Sequence, residues 1–73
     1  MSMLDLNNLQ ENFSDAATVL EADLLEIRSH LKTNPGNNEN KREWAIICSA
    51  LQLSVLSLRK AKERIDVIMD PQQ

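Results

Sequence analysis

Residues 32–40 read KTNPGNNEN and contain Pro35, four asparagines and the chain's single glycine, Gly36. Pro35 disfavours helical backbone at the residue before it, and Gly36 can adopt a positive φ without steric cost. Such a concentration of turn-forming residues predicts a chain reversal between two regular elements. The fold therefore depends on what the segments on either side of this break form.

The segment before the break has apolar residues at steps of three and four, which is the period of an α-helix. Asp5 is predicted to cap the N-terminus of this helix. Ser14 and Asp15 offer a second start, which would leave the first dozen residues as a short extra helical turn. The apolar residues, which we call the inner row of the first helix, are Leu6, Leu9, Phe13, Ala16, Leu20, Leu24, Ile27 and Leu31.

The segment after the break is also helical in pattern, with Asn40 as the expected N-cap and Glu43 as its capping-box partner. No strand-like alternation persists anywhere in the chain. The prediction is an all-α, antiparallel two-helix hairpin in one domain, 1–73, with helices at about 5–32 and 41–69 and a loop at 33–40. The predicted inner row of the second helix comprises Ile47, Leu51, Ser54, Leu58, Ala61, Ile65 and Ile68, joined by Trp44, Cys48 and Val55.

The second helix carries more apolar surface than one neighbouring helix can cover. Its stretch WAIICSALQLSVLSL, residues 44–58, contains no charge, and its inner row fills an arc of about 160° on a helical wheel. A contiguous apolar patch on the other side favours association with another protein, although single exposed leucines are common on protein surfaces. The patch, which we call the outer patch and predict to bind a partner, comprises Ile46, Leu53, Leu56 and Val67.

Size and composition exclude several classes of protein. The chain has 73 residues, one cysteine, Cys48, and one histidine, His30, so neither an internal disulfide nor a structural zinc site is expected. The net charge of −3 argues against nucleic-acid binding. The uncharged stretch is shorter than the roughly 20 residues of a membrane span, so no membrane insertion is expected. Without a recognisable signal peptide, the chain is expected to be cytoplasmic.

Little in the sequence suggests catalysis. One glycine cannot supply a phosphate-binding loop, and Cys48 among apolar neighbours is expected to be a packed thiol. His30 lies near a helix C-terminus, where an exposed side chain is expected. We therefore predict that the chain is not an enzyme and has no catalytic residue, cofactor or metal. Trp44 is expected to close the loop end of the hairpin or, alternatively, to anchor an interface. A solvated helix face is the expectation for three carboxylates, Glu21, Asp23 and Glu26.

Residues 20–58 resemble a known family. The motif is Leu20-Glu21-x-x-Leu24-x-x-Ile27-Arg28-x-x-Leu31, the Gly36 turn, Trp44, and Ala50-Leu51-x-x-Ser54-Val55-x-x-Leu58. This pattern is similar to that of the YscE/PscE-type co-chaperones of type III secretion systems. The resemblance implies a cytoplasmic helical hairpin that stabilises a tetratricopeptide-like chaperone. Through that chaperone, the hairpin would help keep the needle subunit soluble before export, and a weak homodimer is possible.

The alternative from the residues alone is a self-associating structural or regulatory hairpin, for example a phage-encoded oligomer. In that case the outer patch would be the contact between identical copies. The oligomeric state of the purified chain distinguishes the two hypotheses. A stable tetramer or hexamer favours the oligomer, and a weak monomer–dimer equilibrium favours the co-chaperone.

Overall fold

The computed structural model describes residues 3–33 and 39–70 and consists of two long helices. Helix α1 spans Leu6–Thr33 and helix α2 spans Lys41–Met69. They pack against each other, and the described part of the chain contains no strand, so the predicted all-α hairpin is confirmed. The hairpin measures 54 × 25 × 17 Å. Most of the predicted loop, 34–38, lies outside the described residues.

Helix α1 begins at a well-formed cap. The Asp5 side chain accepts a hydrogen bond from the backbone N–H of Asn8, at 3.0 Å between Oδ1 and N, and the Asp5 carbonyl accepts one from the N–H of Leu9. These bonds satisfy N–H groups that the first turn leaves without partners. The helix then continues without interruption through Ser14 and Asp15. The separate N-terminal turn, the alternative interpretation of this segment, is therefore wrong.

The start of α2 differs from the prediction. Asn40 is the N-cap residue, but its side chain makes no capping hydrogen bond. Its backbone φ of −112° and ψ of 21° lie outside the extended region in which a capping side chain reaches the N–H groups of the first turn. The predicted capping box with Glu43 is therefore absent.

The core between the helices is thin. Its buried side chains are Ala17 and Leu24 on α1 and Val55 and Ile65 on α2. Every residue of the predicted inner row of α1 is buried or largely buried, which confirms that row. A chain of this size buries a small fraction of its surface and is marginally stable alone.

The inner row of α2 is only partly as predicted. Ile47, Ser54 and Ile68 are exposed, so assigning them to the inner row was wrong. Ile47 and Ser54 each directly precede a residue that faces α1, Cys48 and Val55, so they lie about 100° further round the helix, at the edge of the contact. The observed inner row of α2 comprises Trp44, Cys48, Leu51, Val55, Leu58, Ala61 and Ile65.

Polar side chains connect the two helices along the edge of the core. Arg59 donates to Glu21 across 2.6 Å between Nη2 and Oε2, and Arg28 donates to Gln52 across 3.3 Å. Near the open end, the Gln10 amide donates to the carbonyl of Lys62 and to the Asp66 carboxylate. These contacts, spaced along both helices, mark the antiparallel register.

The two helices also carry opposite net charge. Helix α1 contains five carboxylates and two basic residues, a net charge of −3, whereas α2 contains six basic residues and three carboxylates, a net charge of +3. Attraction between opposite charges favours the packing of α1 on α2, although salt screens it.

The ion pair between Glu21 and Arg59 is expected to contribute little to stability. Both side chains are about half exposed, and exposed pairs typically contribute about 0.2–1 kcal/mol. Replacing Glu21 by glutamine should lower the free energy of unfolding by less than about 1 kcal/mol in low salt, and by less still in high salt. Urea unfolding at two salt concentrations measures both values, and a loss that does not change with salt would contradict an electrostatic origin.

Candidate protein-interaction surface

The outer patch lies on the side of α2 that faces away from α1. Ile46, Leu53 and Leu56 are 55%, 65% and 55% exposed, and Val67 is also exposed. The first three lie within the uncharged stretch 44–58, at spacings of seven and three residues that keep them on one side of a helix. With one helix already packed on its inner row, α2 therefore presents a second apolar surface to solvent.

Val67 is separated from the rest of the outer patch. Lys60 lies four residues after Leu56, Arg64 four residues after Lys60, and Val67 three residues after Arg64. All four side chains are exposed, and these spacings place them in one row. The contiguous part of the patch is therefore Ile46, Leu53 and Leu56.

Cations flank this contiguous part at both ends. Arg42 lies four residues before Ile46, on the same side of the helix, and Lys60 and Arg64 follow Leu56. All three basic side chains are exposed. The surface is therefore apolar in its middle and positively charged at each end.

A groove between the helices lies beside the outer patch. Leu24 and Val55 are the buried residues that line it, whereas Leu25 and Leu56 are exposed at its edges, Leu25 by 61%. The groove has a volume of about 280 Å³. Its remaining lining residues are the pairs Glu21–Arg59 and Arg28–Gln52. Leu56 thus belongs to both the groove and the outer patch.

Sequence reasoning missed the exposed apolar residues of α1. Leu25 and Val19 lie outside its inner row and are both exposed. Leu25 directly follows the buried Leu24. No other large apolar residue lies three or four positions from Leu25, so helical periodicity did not indicate it. Only the position of Leu56 across the groove makes Leu25 part of an apolar surface.

Trp44 lies at the loop end of the hairpin. Its half-buried indole lines a hollow together with residues from the last two turns of α1, including Ile27, His30 and Thr33. This position agrees with the expectation that Trp44 closes the end of the hairpin. Cys48, one turn further along α2, is half-buried on the inner row.

The polar groups considered for chemistry are spread over the surface. Asp23 and Glu26 are exposed, whereas Glu21 reaches across to Arg59, so Glu21 is not merely a solvated carboxylate. Within 3–33 and 39–70, no three potential metal ligands lie together. Neither described helix is long and apolar enough to cross a membrane.

No protein-family model, curated protein or solved structure matches this chain. The resemblance to the YscE/PscE-type co-chaperones therefore rests on the residues quoted above. The geometry of the hairpin is the remaining guide to function.

Proposed function

We propose that this chain is a helical hairpin that binds the helices of another protein through the outer patch of α2. The observation that carries the proposal is the exposure of Ile46, Leu53 and Leu56 on a helix whose opposite side already packs on α1. Burying a large apolar side chain typically contributes about 1.5–3 kcal/mol. Burying these side chains against a partner therefore stabilises a hairpin whose own core is thin.

The specific form of the proposal is a cytoplasmic co-chaperone of type III secretion. Its partner would be a tetratricopeptide-like chaperone and, through it, the needle subunit. Three features support this form: the spacing of residues 20–58, the hairpin architecture and the uncovered face of α2. Helical repeats present helical surfaces to their ligands, and an amphipathic helix fits such a surface through residues spaced by three, four and seven.

Purification of the tagged chain from its native host tests this function. We expect a helical-repeat protein and a needle subunit to co-purify with it, and both to be lost when Leu53 is replaced by aspartate. Because Leu53 is exposed, the variant should keep the circular dichroism of the parent. A parent chain that purifies with neither protein, under conditions in which both are expressed, would contradict the co-chaperone proposal.

A self-associating structural hairpin is the second candidate. The opposite net charges of α1 and α2 favour it, because α1 of one copy attracts α2 of another copy. The cations that flank the outer patch argue against that patch as the contact between copies. Light scattering on the purified chain distinguishes the candidates, since a stable tetramer or hexamer at micromolar concentration favours the structural oligomer.

A further inference from the structure

The outer side of α2 has a local charge opposite in sign to that of the whole chain. Within about 60° of Leu53 on a helical wheel, α2 carries three cations, Arg42, Lys60 and Arg64, and no carboxylate. The carboxylates of this helix lie about 80° or more from Leu53. The chain as a whole has a net charge of −3. A partner that contacts only this side therefore meets positive charge on a negatively charged molecule.

We propose that the outer patch binds an acidic amphipathic helix, with carboxylates at both ends of its apolar row. This inference rests on the proposed function, because it specifies the chemistry of the same partner. The apolar residues of the partner helix cover Ile46, Leu53 and Leu56, which are all more than half exposed. Its carboxylates then face Arg42 at one end and Lys60 at the other.

The spacing of the cations sets the spacing of the partner's carboxylates. Arg42 and Lys60 are 18 positions apart, which is about 27 Å at a rise of 1.5 Å per residue. The apolar part of the surface, from Ile46 to Leu56, covers about 15 Å of this length. A helix that packs on α2 at a shallow angle of about 20° stays in contact over such a distance. Its two acidic turns are therefore about five turns apart.

Small side chains between the large ones allow a helix to pack closely here. Ser49 and Ala50 lie between Ile46 and Leu53, and Ser57 lies one turn after Leu53. All three small side chains are exposed. Helix axes approach to 8–10 Å according to the side chains at the contact. Large apolar side chains of the partner therefore fit between Ile46 and Leu53.

The order of apolar and charged residues is that of a protein interface. Such interfaces have an apolar centre that loses its water and a polar rim that stays accessible. Charged pairs at the rim contribute mainly to the choice of partner and to the rate of association. The apolar centre of the outer patch therefore provides affinity, and the cations at its ends select a partner with carboxylates.

Two other occupants fit this surface less well. A second copy that met the first through the same patch would bring Arg42 against Lys60 or against another Arg42, so like charges would repel. A helix that lies on an anionic membrane immerses a broad apolar face between its cations. Here Lys60 and Arg42 lie in line with the three large apolar residues rather than on either side of them.

Two synthetic helices test the preference for an acidic partner. Both carry leucines at steps of three and four in their middle turns, and one has glutamates, the other lysines, in its first and last turns. We expect the full chain, followed by NMR at about 0.15 M salt, to bind the glutamate helix at least tenfold more tightly, because attraction replaces repulsion at both ends. The shifted resonances should centre on Ile46, Leu53 and Leu56.

The net charge of the chain makes this comparison decisive. A net charge of −3 by itself attracts the lysine helix, so only a local cationic surface reverses the preference. Equal binding of the two helices, tighter binding of the lysine helix, or no shift at the outer patch with either helix would overturn the proposal.

Arg42→Glu combined with Lys60→Glu should abolish the preference for the glutamate helix. The matched control is Lys41→Glu with Lys62→Glu, which makes the same change in charge near the same two ends. Lys41 is turned about 100° from Arg42, and Lys62 lines a hollow on the side of α1. The control should change the ratio of the two dissociation constants by less than about threefold, since charges more than about 8 Å away are largely screened. Equal losses in both double variants would contradict a role for position.

Vesicles of phosphatidylcholine, with and without phosphatidylserine, test the membrane as the occupant. We expect the chain to remain in the supernatant with both on sedimentation. If it pelleted with phosphatidylserine alone, and Arg42→Glu with Lys60→Glu released it, the cations would bind an anionic lipid surface and the proposal would be wrong.

The outcome for the acidic helix can be separated from the outcome for the proposed function. A co-purifying helical-repeat protein that is lost with Leu53→Asp, but binds both charge variants equally, would leave the partner surface in place and refute its acidic partner. If no such protein co-purified and the glutamate helix still bound as expected, the co-chaperone function would fail and the preference for an acidic helix would stand.

Discussion

Replacing Leu24 by alanine is expected to lower the free energy of unfolding of the isolated hairpin by about 2–5 kcal/mol. Leu24 is 5% exposed and is one of the four buried side chains of the described structure. Its removal eliminates both the transfer free energy of the buried atoms and their packing against α2. Urea unfolding, followed by circular dichroism and by the fluorescence of Trp44, measures the change.

This loss is large relative to the total free energy of unfolding that a chain of this size can have. Natural domains have about 5–15 kcal/mol of stability, and the smallest are at the low end because they bury little surface. We therefore expect the Leu24→Ala chain to be substantially unfolded without denaturant. The helices are not expected to persist separately, because most helical stability in proteins comes from tertiary packing.

Leu53→Ala is the matched control for this change. It removes the same atoms from the other helix at a position that is 65% exposed. Its effect on the isolated chain should stay within about 0.5 kcal/mol, as for other surface substitutions. Equal losses for Leu24→Ala and Leu53→Ala would mean that both faces of the hairpin are buried in the purified protein.

Replacing both Leu53 and Leu56 by aspartate is expected to weaken the complex with the proposed helical partner at least 100-fold. Each leucine contributes about 1.5–3 kcal/mol when buried, and a loss of 2.7 kcal/mol corresponds to about 100-fold in affinity. Two carboxylates placed in an apolar contact add a desolvation cost. Titration calorimetry with the purified partner measures the affinity.

The control for this double variant carries the same charges on the other helix. Val19→Asp with Leu25→Asp replaces two exposed apolar residues of α1 and should leave partner affinity within about threefold, since neither residue lies on the outer face of α2. Both double variants should remain helical because all four positions are exposed. If the partner bound the Leu53, Leu56 double variant normally, the assignment of the binding face would be wrong. Leu56 also lies in the groove, so Leu53→Asp alone isolates the partner interface.

Local sequence determined most of the architecture. The inner row of α1 follows one helical period from Leu6 to Leu31, and an α-helix must place such a row on one side. Asp5 precedes that row and caps the helix, as its side chain predicts. The turn residues between Lys32 and Asn40 then separate two helices that have to pack antiparallel. The sequence also predicted an exposed apolar face on α2, because the narrow apolar row of α1 can cover only one side of α2.

Tertiary structure decided which residues of α2 face α1 and what lies beside the groove. The stretch 44–58 is apolar on more than one side, so sequence periodicity allowed several rotations of α2. Packing selected the rotation that buries Val55 and exposes Ile47. The place of Leu25 beside Leu56, and of Glu21 beside Arg59, depends on the register between helices. No local pattern specifies that register, because it arises from contacts between residues more than 20 positions apart in the chain.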